Sequence, residues 1–267
     1  MIRETLQRHG ISPDTNQDQH FLASDAILER EVEEAELDGD ETVLEIGAGI
    51  GNLTTKLADA AGHVIAVERD RRLIPVLKEE LAHQDNVEIV EGDILDVDIP
   101  AFDACVSNPP YHISSELIEL LGRRERRSVL TLQQAFAERL VAEPGSGDYS
   151  RITVLTNYYF VPVYLQEVPA EEFYPRPEVD SALLRFFPRN DRFGIRDRES
   201  FFTVVRGLFT HKRKKVRNAF VDARHILDMT KKEARRRRDD IPYSEERVIN
   251  LDMKQLAEIA DHLSGRR

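Results

Sequence analysis

The stretch "LEIGAGIGNLTTKL", residues 44–57, joins the end of an apolar strand, a glycine-rich turn and the start of a helix. Gly47, Gly49 and Gly51 let the backbone turn sharply and approach a ligand closely. Their spacing, G-x-G-x-G, differs from the G-x-G-x-x-G fingerprint of dinucleotide sites. Glu45 stands two residues before Gly47 and is predicted to face a charged end of the ligand. For the glycines alone, a tight strand–helix turn without a ligand stays the alternative.

Strand-like and helix-like segments alternate on both sides of this turn. Helical patterns lie at 24–37, 52–61, 71–83 and 135–142. Apolar strand patterns lie at 42–49, 63–68, 86–93, 102–108, 128–133, 163–168 and 181–187. The alternation predicts an α/β fold with a doubly wound, mostly parallel sheet. Beyond these segments the chain is polar and then helical and basic, so we predict one domain at 1–190 and a second at 191–267.

Charge is unevenly distributed along the 267 residues. The net charge is −12, yet residues 201–238 carry 13 Lys/Arg against 3 Asp/Glu, which gives +10 there and −22 elsewhere. A concentrated basic segment favours a nucleic-acid partner, although the acidic remainder opposes one. The chain has 8 Lys against 29 Arg, and this bias suggests adaptation to a high-salt cytoplasm. The sequence has one cysteine, Cys105, and shows neither an apolar span long enough to cross a membrane nor a secretory signal. These features predict an intracellular protein.

Two acidic positions follow later strands of the predicted sheet. Glu68 ends the second strand, 17 residues beyond Gly51, where a carboxylate can accept both hydroxyls of a ribose. Asp93 ends the third strand and can accept from an exocyclic amine, with Ile94 packing on an adenine ring. A solvated strand end for Glu68 and a helix cap for Asp93 are the structural alternatives. Together the positions indicate an adenosine-containing ligand, and they leave NAD and S-adenosylmethionine both open.

The stretch "VSNPPYHISS", residues 106–115, favours S-adenosylmethionine. Two adjacent prolines fix two φ angles and make the loop stiff. Asn108 Oδ1 and the carbonyl of Pro109 can accept from an adenine N6 amine, so that its lone pair points towards a transferred methyl group. Tyr111 can stack on a flipped base. Catalysis would then consist of positioning and hydrogen bonding, while a rigid turn is the structural alternative.

These motifs resemble those of the KsgA-type small-subunit rRNA adenine dimethyltransferases in their archaeal and eukaryotic form. The resemblance runs nearly end to end, through "QHFL" (19–22), "LEIGAGIGNLT" (44–54), "VERD" (67–70), "EGD" (91–93), "SNPPY" (107–111), "FYPRPEVDSALLRF" (173–186) and "FTHKRKKVRNAF" (209–220). It implies a seven-stranded Rossmann-like class I methyltransferase domain, a small helical C-terminal domain and S-adenosylmethionine as cofactor. The implied reaction is double N6-methylation of each of two adjacent adenosines in a hairpin loop near the 3′ end of small-subunit rRNA.

The resemblance also implies roles for individual positions. Gln19, His20 and Leu22 match the segment that closes over the methionine end of the cofactor, although His20 stands where the family usually has Asn. Pro109 stands where bacterial members usually have Leu, and Phe173 matches a second aromatic that clamps the target base. The other matches are Gly47, Gly49 and Gly51 to the glycine loop, Glu68 to the ribose ligand, Asp93 and Ile94 to the adenine contacts, and Asn108 and Tyr111 to the catalytic loop.

The implied partner is small-subunit rRNA within the small ribosomal particle, and the basic segment is expected to contact it. The resemblance further implies a cytoplasmic monomer that uses no metal and binds no membrane. A methyltransferase acting on large-subunit rRNA or DNA stays an alternative, as does a ribosome-assembly factor whose binding matters more than its catalysis. An NAD oxidoreductase is disfavoured by the glycine spacing.

Overall fold

The computed structural model describes residues 2–191 and 193–264. Its strands are β1 (Phe21–Leu22), β2 (Thr42–Ile46), β3 (His63–Glu68), β4 (Val87–Glu91), β5 (Ala104–Ser107), β6 (Arg127–Gln133), β7 (Phe160–Val168), β8 (Phe173–Tyr174) and β9 (Ser181–Pro188). Its helices are α1 (Ile2–Arg8), α2 (Asp25–Ala35), α3 (Asn52–Ala60), α4 (Ile74–Glu80), α5 (Ser114–Arg124), α6 (Gln134–Leu140), α7 (Arg151–Tyr159), α8 (Arg198–Phe209), α9 (Val216–Asp222), α10 (Lys231–Arg237) and α11 (Met253–Ser264). Within these residues, no helix is long and apolar enough to cross a membrane.

Among the described residues, the main sheet has seven strands in the order β4-β3-β2-β5-β6-β9-β7. The pairs β3–β4, β2–β3, β2–β5 and β5–β6 are parallel, and β6–β9 is antiparallel. The predicted Rossmann-like, mostly parallel sheet is therefore confirmed. The strand order reverses at β2, which has β3 on one side and β5 on the other. Ligands of such sheets bind outside the carboxyl ends of the strands at this reversal.

The burial of each strand matches its pattern of apolar and charged residues. In β3, Val64, Ile65, Ala66 and Val67 are all at most 2% exposed, as expected for a central parallel strand covered on both faces. In β4, which lies at one edge of the sheet, the residues are at best partly buried and Glu88 and Glu91 are exposed. Charged residues on an edge strand discourage pairing with another chain.

The observed helix α2 is shorter than the helical pattern predicted at 24–37. Ser24 stands at the N-cap, but its side chain makes no capping hydrogen bond. The helix ends at Ala35 because Glu36 adopts a left-handed conformation with φ 46°. The Glu36 carboxylate accepts a hydrogen bond from Arg185 Nη1 at 2.9 Å. This bond lowers the pKa of the exposed Glu36 carboxyl.

The chain divides into two compact units. The first runs to Ala137 and includes Pro162–Pro188; the second contains Glu138–Val161 and the residues from Arg189 onward. The second unit thus contains a segment that the predicted division at 190 gave to the first domain. Inside that unit, the Tyr149 hydroxyl donates to the Leu251 carbonyl at 2.8 Å, and the Tyr158 and Phe201 ring centroids lie 6.0 Å apart. These non-local contacts bring 138–161 together with the C-terminal helices.

Truncation of a core side chain should destabilise the first unit. Leu57 on α3 is 0% exposed and belongs to the cluster that includes Val43, Val64 and Val106. Leu57→Ala should lower the free energy of unfolding by about 2–5 kcal/mol because it leaves a cavity. Urea denaturation measures the change. Leu95→Ala is the control, since Leu95 is 44% exposed and its truncation should cost no more than about 0.5 kcal/mol.

Candidate active site

A cleft of about 980 Å³, including its solvent-open mouth, lies at the carboxyl ends of the parallel strands. It is lined by residues 17–22, 45–50, 67–70 and 92–94 and by parts of the loop 108–113. A volume of this size accommodates a nucleoside-sized ligand. The predicted residues Gln19, His20, Leu22, Glu45, Gly47, Gly49, Glu68, Asp93, Ile94 and Asn108 all line it.

The glycine turn forms one wall of the cleft. Gly47 and Gly49 have φ angles of +78° and +61°, which side chains rarely adopt. A Cβ atom on Gly49 would lie 3.0 Å from the Phe21 ring. Gly51, predicted to approach the ligand, does not line the cleft: its φ is +92°, and a Cβ there would meet Leu77 Cδ1 at 3.2 Å. The structure therefore gives Gly51 a packing and turn-forming role.

Glu68 is held at the end of β3 by two backbone donors. The N–H of Gly49 donates to its Oε2 at 2.8 Å, and the N–H of Asp70 donates to its Oε1 at 2.7 Å. Burial raises the pKa of Glu68, and these two hydrogen bonds oppose that rise. Each carboxylate oxygen has a second lone pair, so Glu68 can still accept from a ligand diol.

Glu45 lies deeper, at 2% exposure, on β2. Its Oε2 is buried without a hydrogen-bond partner in the structure. Burial, reinforced by the charges of Glu31 and Glu68, raises the pKa of Glu45 to about 8. A buried, unsatisfied carboxyl oxygen is costly, and a cationic donor in the cleft would relieve that cost.

Asp93 combines a ligand-facing position with the local bond expected of a turn. Its Oδ1 accepts from the backbone N–H of Leu95 at 3.0 Å, and its Oδ2 accepts from Arg69 Nη1 at 3.3 Å. Asp93 also lines the cleft beside Ile94, which is 4% exposed. The turn bond fixes the carboxylate orientation without removing the residue from the lining.

The upstream segment is tied over the cleft by side-chain hydrogen bonds. Gln19 Nε2 donates to Asp70 Oδ2 at 2.6 Å. The pKa of Asp70 is lowered to about 2, first by its hydrogen bond with Arg72 and then by that with Gln19. The His20 Nδ1–H donates to the Pro175 carbonyl at 2.7 Å, which gives the side chain at this position an anchoring contact that the sequence did not reveal.

The loop after β5 carries the predicted catalytic residues. The Asn108 side chain donates from Nδ2 to Glu31 Oε2 at 3.1 Å, while its Oδ1 is buried without a hydrogen-bond partner. Pro109 is buried behind the loop and does not line the cleft, whereas Pro110 does. The Tyr111 hydroxyl lies 2.6 Å from Ser181 Oγ, and burial raises the pKa of Tyr111.

Phe173 does not have the exposed face that a base clamp needs. It is 6% exposed, pairs with Leu22 across the short β1–β8 ladder and packs in the cluster that contains Val106 and Val129. It does not line the cleft. The structure therefore places Phe173 behind the site, supporting Leu22, and a clamping role would require its ring to become exposed.

Glu31 is a site residue that sequence reasoning missed. It lies on α2 at 0% exposure; its Oε1 accepts from Thr131 Oγ1 at 2.5 Å and its Oε2 from Asn108. Burial raises the pKa of Glu31 to about 8. A signal was available: Glu31 lies three residues after Leu28 and four before Ala35, both buried, so a carboxylate occupies the apolar stripe of the helix.

The comparisons with known proteins agree on one family. The family model for ribosomal RNA adenine dimethylases matches residues 13–256. A probable ribosomal RNA small subunit methyltransferase A from Methanosarcina acetivorans is 42% identical over 266 residues, covering 98% of each chain. The crystal structure of a dimethyladenosine transferase from Plasmodium falciparum superimposes with a TM-score of 0.80 at 29% identity, covering 92% of this chain and 98% of that one.

A second solved structure, that of the 23S rRNA methyltransferase ErmE, superimposes with a TM-score of 0.67 at 28% identity, covering 91% of this chain and 99% of that one. The family match, the near-complete relatives and the cleft at the reversal of the sheet lead to one conclusion. The chain belongs to the ribosomal RNA adenine dimethylase family.

Proposed function

We propose that this protein uses S-adenosylmethionine to dimethylate N6 of two adjacent adenosines in a hairpin loop near the 3′ end of small-subunit rRNA. The observation that carries the proposal is Asn108 Oδ1, a buried acceptor without a protein partner, at the end of β5. An exocyclic amine is a donor of matching chemistry. The names of the relatives, which refer to small-subunit methyltransferases, support the choice of RNA.

The residues of the cleft fit S-adenosylmethionine. Glu45 Oε2 is an unsatisfied buried oxygen suited to an ammonium group. Glu68 would accept from the ribose hydroxyls, Asp93 from the adenine amine, and Ile94 would pack on the ring. The glycine turn leaves room for a ligand because Gly47 and Gly49 carry no Cβ. When bound, this cofactor supplies an electrophilic methyl group.

The chain's own contribution to the reaction is positioning. Adenine N6 is a poor nucleophile because its lone pair is delocalised into the ring. Asn108 Oδ1 and the carbonyl of Pro109 would accept hydrogen bonds from the two N–H groups of the amine and direct the lone pair towards the methyl group, and the methylated amine would then lose one proton to solvent. Tyr111, held by Ser181, would stack on the base. No covalent enzyme intermediate is needed, since preorganised hydrogen bonds supply the stabilisation.

A groove in the second unit supports an RNA partner. Its lining includes Arg213, Lys214, Lys215, Arg235, Arg238 and Arg247. Lys214 pairs with Asp222 at 2.7 Å, and Lys215 pairs with Glu245 at 2.6 Å, so part of this charge is neutralised. Arg213 and Arg235 are exposed and extend the cationic surface. Such a surface fits phosphates without reading sequence.

Removal of two groove arginines should weaken RNA binding by an electrostatic mechanism. The double variant Arg213→Ala, Arg235→Ala should bind rRNA more weakly and reduce the slope of log K against log [salt] by about 1–2, because up to two phosphate contacts are lost. Fluorescence anisotropy over a KCl series measures both quantities. Lys254→Ala, which removes an exposed charge on α11, is the control; an equal effect there would contradict a local groove.

The raised pKa of Glu45 predicts that a proton is released when the cofactor binds. With its pKa raised to about 8 by burial, the carboxyl is largely protonated at pH 7. A cofactor ammonium would favour the ionised form, so binding should release on the order of one proton at pH 7 and little above about pH 9. Calorimetry in buffers of different ionisation enthalpy measures the release. Glu45→Gln should abolish it, and unchanged release in that variant would contradict the assignment.

The proposed activity is tested by methyl transfer from radiolabelled S-adenosylmethionine, followed by nucleoside analysis. The acceptors are immature small subunits, free small-subunit rRNA, large-subunit rRNA and duplex DNA, over a KCl series that reaches molar concentrations. Dimethyladenosine in small-subunit RNA supports the proposal. Large-subunit rRNA is the second candidate substrate because of the similarity to ErmE. Label in that RNA would overturn the assignment of small-subunit rRNA as the substrate. Cofactor binding without label in any acceptor would favour an assembly factor.

A further inference from the structure

We propose that Glu31 is a positioning residue, which holds the Asn108 side chain so that its amide oxygen faces the target amine. The inference rests on the proposed function, because it assigns a task to the orientation of Asn108. It concerns a residue on α2, outside the glycine turn and outside the loop after β5. Glu31 acts through Asn108 rather than on the substrate itself.

The two ends of an asparagine amide are similar in size and opposite in hydrogen bonding. Only the oxygen can accept a hydrogen bond from an amine N–H, so a flipped amide would present two donors to another donor. In the structure Asn108 Nδ2 donates to Glu31 Oε2 at 3.1 Å, and Oδ1 is the end left without a partner. The contact with Glu31 therefore selects the useful orientation.

Glu31 is itself constrained to accept at this point. Its Oε1 receives the Thr131 hydroxyl at 2.5 Å, which leaves Oε2 for Asn108. If Glu31 is protonated, a proton on Oε1 shared with Thr131 still leaves Oε2 an acceptor. The amide of Asn108 is thus oriented in both protonation states, through a chain of contacts from β6 to α2 to the loop after β5.

Stability alone does not explain a carboxylate at this position. Glu31 is 0% exposed between Leu28 and Ala35, where an apolar side chain would pack. Burial of a carboxyl group costs free energy that its hydrogen bonds must offset, and a buried polar set that is replaced as a whole by apolar groups of the same shape can be equally stable. A role in orienting Asn108 accounts for its presence there.

The test compares two substitutions that both remove the ionisable group. Glu31→Met fills similar volume without a carbonyl oxygen, whereas Glu31→Gln keeps one. Glu31→Met should lower single-turnover methyl transfer to rRNA by about tenfold, with KM for RNA and Kd for S-adenosylmethionine within about twofold of wild type. Glu31→Gln should restore at least about half of the wild-type rate. Glu34→Met is the matched control on the same helix, since Glu34 pairs with Arg30 and Arg185 and should leave the rate unchanged.

Two further measurements separate this role from a structural one and from the proposed function. The melting temperature of Glu31→Met should fall, because the buried Thr131 hydroxyl and Asn108 Nδ2 lose their acceptor, so the rates are compared at a temperature where both variants are fully folded. In ¹⁵N-labelled protein without substrate, the Asn108 NH₂ signal should shift on Glu31→Met and not on Glu34→Met. An unmoved signal, an unchanged rate in folded Glu31→Met, or a rate that Glu31→Gln does not restore would overturn the role of Glu31. Wild-type protein that methylates no RNA would overturn the proposed function, while the NH₂ signal would still decide whether Glu31 orients Asn108.

Discussion

Asn108→Ala should lower the rate of methyl transfer by at least about 10²–10³-fold while S-adenosylmethionine binding stays within about tenfold of wild type. The asymmetry follows from the two ends of the side chain. Oδ1 has no partner in the protein, so its loss breaks no hydrogen bond of the free enzyme and removes the proposed acceptor for the reacting amine, while the loss of Nδ2 breaks the bond to Glu31. Stopped-assay kinetics with small-subunit rRNA and calorimetry with the cofactor measure the two quantities separately.

The control for this substitution is Ser107→Ala. Ser107 directly precedes Asn108, and its hydroxyl donates to the Ile46 carbonyl at 2.6 Å, so its loss disturbs the same strand end without removing an acceptor from the cleft. Its expected effect is about 1 kcal/mol of stability with activity retained. If Asn108→Ala lost cofactor binding and fold together, or if Ser107→Ala lost activity equally, Asn108 would be a structural residue of the loop.

The parallel sheet and most of the cleft could be predicted from the sequence because their signals are local. Apolar runs such as Val64–Val67 show strands buried on both faces, and carboxyl ends of parallel strands meet at one edge of a sheet. It follows that Glu45, Glu68 and Asp93 had to lie near one another, whatever the details of the loops. The structure places all three on the same cleft.

The features that sequence reasoning missed depend on contacts distant along the chain. Glu31 meets Thr131 across 100 positions and Asn108 across 77, and no local pattern specifies either pairing. In the sequence Gly51 resembles the other glycines of the turn, yet a side chain at this position would be too close to Leu77 on α4. Phe173 has the aromatic identity of a clamp, while its burial is decided by the pairing of β1 with β8.

Glu68→Ala should weaken S-adenosylmethionine binding by on the order of 100-fold or more. In the proposed complex, two ribose hydroxyl bonds to a charged acceptor would be lost, each worth about 1.5–3 kcal/mol. The substitution also removes the acceptor for the backbone N–H groups of Gly49 and Asp70, so the glycine turn loses a support that holds it against β3. Both losses act on cofactor binding and neither removes the acceptor at Asn108. Calorimetric titration with S-adenosylmethionine measures the change.

The matched variant Glu68→Gln separates the two contributions. The glutamine carbonyl can replace one carboxylate oxygen, while its NH₂ group faces one of the two backbone donors and repels it. Binding should therefore weaken by about tenfold, between wild type and Glu68→Ala. At saturating cofactor, Glu68→Gln should keep a methyl-transfer rate within a few-fold of wild type, because the acceptor groups of the loop after β5 are untouched. If the saturated rate fell as far as in Asn108→Ala, Glu68 would be part of the chemistry and not only of the cofactor site.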